Sequence, residues 1–364
     1  MADAITITVL THSPSPYQVE LFNTVASSPG VELKVIYLFS GDPSRKWQAI
    51  PIRHDALMLD GDVARLGVAI SAVAQADIAV FNFYNDPQAA RLISERVAGR
   101  KPWVFWGERP GFSHPALGRI ARRWKLRSLH ASRAPIWGIG RFAVERYEEE
   151  FGSRRAYHDI PYFSNLSRFA NFPRASRAAD VRRVILFSGS LIVRKGVDLL
   201  ARAFLQVARE FPGVCLRIMG DGTEREAMRE ILEPVASQVE FLGFRDWPDL
   251  PAAYAGADVL CVPSRHDGWG LVVPEGLATG LPVIGTDRMG AAIEFVETGK
   301  NGWLVRAGDE NALHAALREA ASVSSAQLSQ LSCNARASVA AHSLENGAAR
   351  FVAASREASV NWVN

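Results

Sequence analysis

A turn-rich stretch, PSRHDGWGLVVPEG at residues 263–276, lies between two regular segments of the chain. The apolar run before it, at residues 259–262, predicts a buried strand, and glycines then lead into a helix near Gly270. Pro274 fits that helix only in its first turn, where a missing N–H costs nothing, so the helix cannot begin much earlier than Gly270. The stretch therefore predicts one strand–turn–helix unit of an α/β domain.

The start of this helix suits a diphosphate. Unpaired N–H groups and the positive end of the helix dipole lie at Gly270, Leu271 and Val272, and glycines such as Gly268 let backbone approach an anion closely. Glu275 lies one turn inside the helix, where its carboxylate can accept hydrogen bonds from a vicinal diol such as ribose.

Strands alternate with helices through most of the chain, which indicates parallel strands joined by crossover helices. The first half predicts helices at residues 17–26, 64–74 and 87–97, and an Ala-rich helical stretch runs from about residue 309 to 359. Strands are predicted at residues 5–10, 32–38, 78–83, 103–105 and 135–137, and again at 184–187, 214–219, 239–242, 259–262, 282–284 and 303–305.

The alternation breaks once, at residues 160–179, which contain Pro161 and Pro173 and show no sustained periodicity. This segment predicts a connection between domains. A chain of 364 residues also exceeds one ordinary core and suits two domains. We expect two doubly wound α/β domains, with ligands at the carboxyl ends of their strands.

Further motifs follow the other predicted strands of the second half. They are SGSLIVRKGVD at 188–198, MGDG at 219–222, VEFLGF at 239–244, ADV at 257–259, LPVI at 281–284 and GAAIEFV at 290–296. Together with residues 263–276, and in the same order, they resemble glycosyltransferase family 4, whose members are retaining, nucleotide-sugar-dependent enzymes of GT-B architecture. The resemblance is specific over residues 182–305. It is looser in the first half, through Pro16-Tyr17-Gln18 and Pro161-Tyr162.

The resemblance implies an α/β protein of the GT-B class, with two doubly wound, Rossmann-like domains facing a central cleft. It implies an acceptor-binding domain at residues 1–165, a nucleotide-sugar-binding domain at 166–342, and a C-terminal helix at 343–364 that returns to the first domain. The donor would be a UDP-sugar or a GDP-sugar, and neither a metal nor another cofactor is required. The sequence leaves the donor base open.

The resemblance also implies roles for single residues. Lys195 would bind the donor diphosphate and Asp267 the sugar hydroxyls, while cations and the helix start stabilise the charge that develops on the departing diphosphate. Its predicted donor-binding residues are Gly189, Ser190, Gly220, Phe244, Arg245, Gly268, Gly270, Leu271, Val272 and Glu275.

Two positions depart from the family pattern. The family usually has Glu where this chain has Asp267, which keeps the carboxylate but shortens its reach by one methylene. Ser190 replaces an Arg that contacts the diphosphate, and we expect Arg194, beside Lys195, to supply that charge. The alternative is structural. Asp267 would then be an ordinary loop carboxylate, and Glu275 an acidic residue that the helix dipole favours at a helix start.

Acceptor-side chemistry is expected from loops of the first half. His12 begins the loop HSPSPY at 12–17 after the first strand, and Glu108 lies in GERPG at 107–111 after the fourth predicted strand. Both are candidate catalytic groups, and the alternative for each is a residue that braces its loop. Tyr84 and His114 are weaker candidates.

Composition excludes several classes of protein. The 41 basic and 38 acidic residues leave a formal charge of +3, which gives no argument for a nucleic-acid partner. The N-terminal segment resembles no signal peptide, and no uncharged stretch approaches the roughly 20 residues of a membrane span. We therefore expect a soluble, cytoplasmic protein. Its three cysteines cannot all pair, and Cys215 and Cys261, which lie in apolar runs, are expected to be inert core thiols.

Two short motifs mimic other sites. Gly138-Ile139-Gly140-Arg141-Phe142-Ala143 matches a dinucleotide fingerprint, with Asp159 about 20 residues on, but strand–helix units precede it. We expect its glycines to allow tight packing instead. Asp60-Gly61-Asp62 mimics a metal-binding motif, and because it directly precedes a helix we expect it to cap that helix.

A basic amphipathic stretch extends through Arg119 to Arg133 and contains no acidic residue. It is suited to peripheral contact with an anionic membrane, at the inner face, which would fit a lipid-linked acceptor. The alternative is a solvated helix face.

The sequence thus predicts a retaining transferase of the hexosyltransferase type, expected in polysaccharide biosynthesis. It would move a sugar from a nucleoside diphosphate to a hydroxyl of a glycan, a glycolipid or a small molecule. A nucleotide-sugar epimerase of the same architecture is one alternative. A non-catalytic nucleotide-sugar-binding protein is the other, and Asp267 and Ser190 motivate it.

Overall fold

The computed structural model describes residues 4–42, 49–110, 116–173 and 183–362, with backbone alone at 116–119. The chain divides into two compact units. Unit 1 comprises Met1–Asn165 and Ser343–Asn364, and unit 2 comprises Leu166–His342. The boundary at Asn165 falls inside the segment that the sequence predicts to connect two domains, of which residues 174–179 lie outside the described part.

Unit 1 is built on a parallel sheet. Over its described residues the sheet has seven strands in the order β3-β2-β1-β4-β5-β6-β7. The strands are β1 (Ile5–Thr11), β2 (Val31–Tyr37), β3 (Asp55–Met58), β4 (Ile78–Phe81), β5 (Trp103–Gly107), β6 (Ile136–Gly138) and β7 (Tyr157–Asp159). The helices between them are α1 (Pro16–Ala26), α2 (Val63–Gln75), α3 (Pro87–Ala98), α4 (Ala116–Lys125), α5 (Arg127–His130) and α6 (Arg141–Phe151).

Unit 2 repeats this plan with six strands among its described residues, in the order β10-β9-β8-β11-β12-β13. Its strands are β8 (Arg183–Ser188), β9 (Val214–Met219), β10 (Val239–Gly243), β11 (Val259–Cys261), β12 (Val283–Thr286) and β13 (Gly302–Val305). Its α-helices are α7 (Ser167–Ala170), α8 (Val197–Glu210), α9 (Arg225–Leu232), α10 (Leu250–Ala255), α11 (Val272–Thr279), α12 (Gly290–Phe295), α13 (Glu310–Ser322) and α14 (Ser325–Ser338).

The last helix, α15 (Leu344–Val360), packs against α1 of unit 1. Phe351 is fully buried and makes edge contacts with the rings of Phe22, Trp106 and Trp137. A Cβ at Gly347 would lie 2.5 Å from the ring of Phe163, so the small residue lets the helix approach closely. An aromatic cluster therefore holds the C-terminal helix in unit 1.

Every predicted strand is present, and its limits differ from the prediction by at most two residues. Two strands, β3 and β7, were not predicted. Both are at the edges of the sheet, and their residues are half-buried or exposed, so neither forms an apolar run. The described part of the predicted connection also contains a short helix, α7. It has only four residues, which is too few for a helical periodicity to be recognised in the sequence.

The helix after the turn-rich stretch, α11, begins at Val272, with Pro274 in its first turn as predicted. In each unit the strand order reverses beside the first strand, between β1 and β4 and between β8 and β11. Doubly wound sheets bind ligands outside the carboxyl ends of the strands at such a switch point.

Candidate functional site

Lys195 and Asp267 form an ion pair at the switch point of the unit 2 sheet. Lys195 ends a short 3-10 turn, Val193–Lys195, in the loop after β8, and Asp267 lies in the loop after β11. The side chains are 16% and 14% exposed, so both reach solvent from a partly enclosed position. The structure thus brings together the two charged residues that the sequence singles out in separate motifs.

Arg265 fixes the turn that carries Lys195. Its Nη1 donates to the main-chain oxygen of Val193 at 2.7 Å, and its two terminal nitrogens hold the Asp198 carboxylate at 2.5 and 2.7 Å. The hydrogen bonds from Arg265 lower the pKa of Asp198 to about 2. A bidentate pair of this kind fixes direction as well as distance, so the loops after β8 and β11 are joined rigidly.

Arg194 lies at the same junction. Its guanidinium donates to the main-chain oxygen of His266 at 3.0 Å, and its own carbonyl accepts from the N–H of Arg265 at 2.8 Å. The side chain is exposed and is directed to a main-chain oxygen.

Glycines bring the loops after β8, β9 and β10 into backbone contact. Gly220 has φ +136°, and a Cβ there would lie 1.9 Å from the carbonyl oxygen of Gly189. The Gly220 N–H also donates to the Gly243 carbonyl at 2.9 Å. A Cβ on Gly189 would lie 4.0 Å from Cε of Lys195. These predicted donor-binding glycines therefore line the edge where Lys195 lies.

Three further predicted residues lie on the loops at this edge and are exposed. Phe244 and Arg245 follow β10, and the Phe244 ring is 44% exposed, which is unusual for a large apolar side chain. Ser190 follows Gly189 and is exposed as well.

Glu275 lies in the first turn of α11 and is only 2% exposed. The Tyr254 hydroxyl is 3.4 Å from its Oε2 and also hydrogen-bonds Ser188, the residue directly before Gly189. Burial, and then the Glu275 carboxylate, raise the pKa of Tyr254 well above its usual value. Through Tyr254, Glu275 is therefore connected to the same end of β8 that carries Gly189 and Lys195.

The start of α11 completes this edge. Gly270 has φ +89°, and a Cβ there would lie 2.5 Å from the Met289 side chain, so glycine is required. The first turn is closed by hydrogen bonds from the Val273 N–H to the Gly270 carbonyl at 3.0 Å and from the Glu275 N–H to the Leu271 carbonyl at 3.2 Å. The N–H groups of Leu271 and Val272 come before Val273, the first donor of this turn, and are thus in the position of helix-start N–H groups.

Unit 1 has a cavity of about 460 Å³ at its own switch point. The loops after β1, β4 and β5 line it, and the predicted candidates His12, Tyr84 and Glu108 are all among its lining residues. Position 114, the other weak candidate, lies outside the described residues.

Aromatic residues contact both main candidates of this cavity. His12 lies between Phe39 and Phe83, with ring centroids 5.0 Å apart in each case. Its Nδ1 is 3.2 Å from the Ser13 hydroxyl. Glu108 is exposed, and its main-chain oxygen accepts a hydrogen bond from the Tyr147 hydroxyl at 2.7 Å.

An amide network that the sequence analysis did not identify lies at the same cavity. Gln18 donates to the Asn82 side chain at 2.9 Å, Asn82 donates to the main-chain oxygen of Trp106 at 2.9 Å, and Tyr162 also bonds Asn82. Gln18 is a polar residue, yet it lies on the buried face of α1 and is only 4% exposed. A polar residue on an apolar helix face was the signal available, since buried amides need partners.

Residues 182–322 match the family model described as "Glycosyl transferases group 1". The chain is 30% identical over 226 residues to a GDP-mannose-dependent alpha-(1-6)-phosphatidylinositol monomannoside mannosyltransferase of Mycolicibacterium smegmatis, covering 58% of each chain. It is 32% identical over 174 residues to the lipopolysaccharide core biosynthesis glycosyltransferase LpsE of Rhizobium meliloti, covering 47% of this chain and 49% of LpsE. The chain thus spans about half the length of these curated relatives.

Solved structures match over nearly the whole chain. HepE of Anabaena in complex with UDP and glucose has a TM-score of 0.70 at 18% identity, covering 96% of this chain and 99% of HepE. Sucrose-phosphate synthase of Thermosynechococcus elongatus has a TM-score of 0.72 at 19% identity, covering 97% and 98%. The chain has the GT-B fold.

The two mimicking motifs are structural, as predicted. Asp62 accepts hydrogen bonds from the N–H groups of Ala64 and Arg65 at the start of α2. A Cβ on Gly138 would lie 2.6 Å from the Val144 nitrogen, so that glycine permits close packing of β6 and α6. Within the described ranges, the acidic, His and Cys side chains form no group of three or more that would hold a metal ion.

The helices of the described residues include none with the length and apolar character to cross a bilayer. The predicted basic stretch at Arg119 to Arg133 folds as two helices, α4 and α5, which separate at Leu126. The side chain of Arg119 lies outside the described part.

Proposed function

We propose that the protein is a glycosyltransferase that moves a sugar from a nucleoside diphosphate to a hydroxyl group with retention at the anomeric carbon. The observation that carries the proposal is the Lys195–Asp267 ion pair at the switch point of unit 2. Glycine-containing loops and the start of α11 lie at the same edge of the sheet. The match of residues 182–322 to group 1 glycosyl transferases supports it, as do the names of the curated relatives.

The donor would bind unit 2. The ammonium of Lys195 and the N–H groups at the start of α11 would hold the diphosphate, and Asp267 the sugar hydroxyls. Glu275 would hold the ribose diol, and the exposed ring of Phe244 offers a surface for the base. Because a diphosphate competes with Asp267 for Lys195, donor binding would release the Asp267 carboxylate to the sugar.

In the transfer step the bond from the anomeric carbon to the diphosphate oxygen breaks, and a bond to the acceptor oxygen forms on the same face. The acceptor proton passes to the departing diphosphate. Fixed cations and helix-start dipoles would stabilise the charge that develops there. Retention follows from the resemblance to family 4, and the anomeric configuration of the product, read by NMR, tests it.

The acceptor would bind the cavity of unit 1. Its aromatic rings and amide groups provide the apolar faces and directional hydrogen bonds that a hydroxylated ligand requires. The imidazole of His12 and the carboxylates of Glu108 and Asp42 line this cavity and would contact the acceptor hydroxyl.

The experiment is release of nucleoside diphosphate from UDP-glucose and from GDP-mannose, with a panel of alkyl glycosides as acceptors. We expect Asp267→Ala to abolish transfer and Glu275→Ala to weaken donor binding. Glu297→Ala, at a 65% exposed surface ion pair of the same unit, is the control and should leave both unchanged. Full turnover in both site variants would contradict the assignment.

The same assay separates the alternatives. An epimerase converts the donor to an epimer without acceptor, and a binding protein takes up the donor without turnover. Neither outcome is expected here. A product that requires acceptor and contains the donor's sugar identifies a transferase.

A further inference from the structure

We infer that helix α4 docks the protein on an anionic membrane surface, so that the cavity of unit 1 receives the head group of a membrane lipid. The inference about the docking surface depends only on α4 and on Arg127, the first residue of α5. The part that concerns the acceptor rests on the transfer activity proposed above.

The outward face of α4 carries two large apolar side chains. Ile120 and Trp124 are four residues apart, which places them on one side of the helix, and each is 66% exposed. Exposed apolar side chains of this size adjoining each other are costly in water and indicate a surface that is covered in use.

Cations border these two side chains. Arg123 is exposed beside them, and the Arg127 guanidinium lies over the Trp124 ring at 4.8 Å from its centroid. Residues 109–144 contain no Asp or Glu, so the surface has no acidic group from its own segment. Apolar side chains bordered by cations match the interface of an anionic bilayer, where Ile120 and Trp124 enter the head-group region and the cations meet phosphates.

The opposite face of α4 is anchored to the core of unit 1. Arg122 pairs with Glu150 of α6, and these side chains are only 13% and 18% exposed. Leu126, one turn later, is 3% exposed. The orientation of the helix is therefore fixed, and Ile120 and Trp124 cannot turn inward without breaking a nearly buried ion pair.

The same helix borders the cavity of unit 1. Arg122 lines that cavity, and Lys125 Nζ donates at 3.1 Å to Asn85, which lines it as well. Arg122 lies on the inward side of α4, so a membrane at the outward face would be about one helix diameter, roughly 10–12 Å, from the cavity. A lipid whose head group spans that distance would enter the cavity past the helix while its chains stay in the bilayer.

The test is co-sedimentation of the protein with vesicles of phosphatidylcholine, with and without phosphatidylglycerol, in the absence of nucleotide sugar. We expect binding only with phosphatidylglycerol, weakening as salt is raised. Ile120→Ser/Trp124→Ser and Arg123→Glu/Arg127→Glu should each lower the partition coefficient about tenfold or more. The first variant removes apolar contact and the second removes charge.

Two controls alter equally exposed residues elsewhere on unit 1. Val63→Ser/Val68→Ser changes side chains of α2 that are 80% and 53% exposed, and Arg91→Glu/Arg154→Glu reverses two exposed cations. Neither should change vesicle binding. The proposed docking surface would be wrong if vesicle binding fell equally in the controls and in the docking-surface variants. It would also be wrong if both vesicle types bound equally, or if neither bound.

The acceptor part is tested by transfer to a long-chain alkyl glycoside in anionic vesicles and to a short, water-soluble one. Ile120→Ser/Trp124→Ser should raise the KM for the vesicle-borne acceptor about tenfold and leave the soluble reaction unchanged. An equal rise in KM for the vesicle-borne and the soluble acceptor would contradict the proposed lipid acceptor. Vesicle binding without any transfer would still support the docking surface and would contradict the proposed function instead.

Discussion

Gly196 shows at the scale of one residue how closely the unit 2 site is built. It lies between Lys195 and helix α8 with φ +69°, and a Cβ there would lie 2.1 Å from the carbonyl oxygen of Pro263. Pro263 begins the stretch that contains Asp267. The glycine therefore sets how closely the two charged loops approach each other.

We predict that Gly196→Ala lowers the melting temperature of unit 2 by about 6–12 °C. A left-handed conformation and a backbone clash together cost about 3 kcal/mol, and each kcal/mol shifts a unit of this size by about 2–4 °C. Gly308→Ala is the matched control, because Gly308 has φ +81° and nothing within 4 Å of its Cβ position. It should lose only about 2–4 °C. Equal shifts by calorimetry would show that the contact with Pro263 is unimportant.

At the scale of elements, His54 ties the edge of the unit 1 sheet to α1. Its Nδ1 lies 2.8 Å from the Asn23 side-chain oxygen, and its Nε2 lies 3.0 Å from the Tyr37 hydroxyl. The neutral ring donates to Asn23 and accepts from Tyr37. Burial lowers the pKa of His54 to about 4, against the opposing attraction of the Asp55 carboxylate.

This depressed pKa predicts acid-sensitive stability in unit 1. Between pH 6.5 and 4 the unfolded chain binds the proton and the folded chain does not, so stability falls as pH falls through that window. The loss is about 1.4 kcal/mol per pH unit, or roughly 2–3 kcal/mol at pH 4.5. Urea unfolding at pH 7 and 4.5 measures it. His54→Gln should flatten the pH dependence and His314→Gln should not; an unchanged slope in His54→Gln refutes the assignment.

The sequence predicts the central strands of both sheets because burial on two faces makes them apolar runs. It does not reveal β3 and β7, because edge strands with polar, half-exposed residues form no such run. The same reasoning applies to the site. Lys195 and Asp267 follow neighbouring strands, so the rule that ligands bind at strand ends predicts their proximity.

Partners that come from distant elements are not predictable in this way. Tyr254 reaches Glu275 and Ser188 from α10, a helix whose sequence carries no motif. Such contacts depend on how helices pack on the sheet, and one sequence contains no record of that packing.

At the scale of the whole molecule, each unit places polar chemistry at the switch point of its own sheet. Unit 1 has the aromatic and amide cavity with His12 and Glu108, and unit 2 has the cationic and acidic edge with Lys195 and Asp267. The last helix belongs to unit 1 although it follows unit 2 in the chain. This division of chemistry fits a reaction with two substrates.

The central claim is that the Lys195 edge of unit 2 grips the diphosphate of a nucleotide. Isothermal titration of UDP and of GDP tests it with the wild type, Lys195→Ala and Lys300→Ala, whose lysine forms a 60% exposed surface pair. We predict that one nucleotide binds the wild type and Lys300→Ala alike. Lys195→Ala should bind about tenfold or more weaker, since a charge-assisted hydrogen bond contributes about 1.5–3 kcal/mol. Equal affinity in Lys195→Ala, or no binding of either nucleotide to the wild type, would contradict the claim.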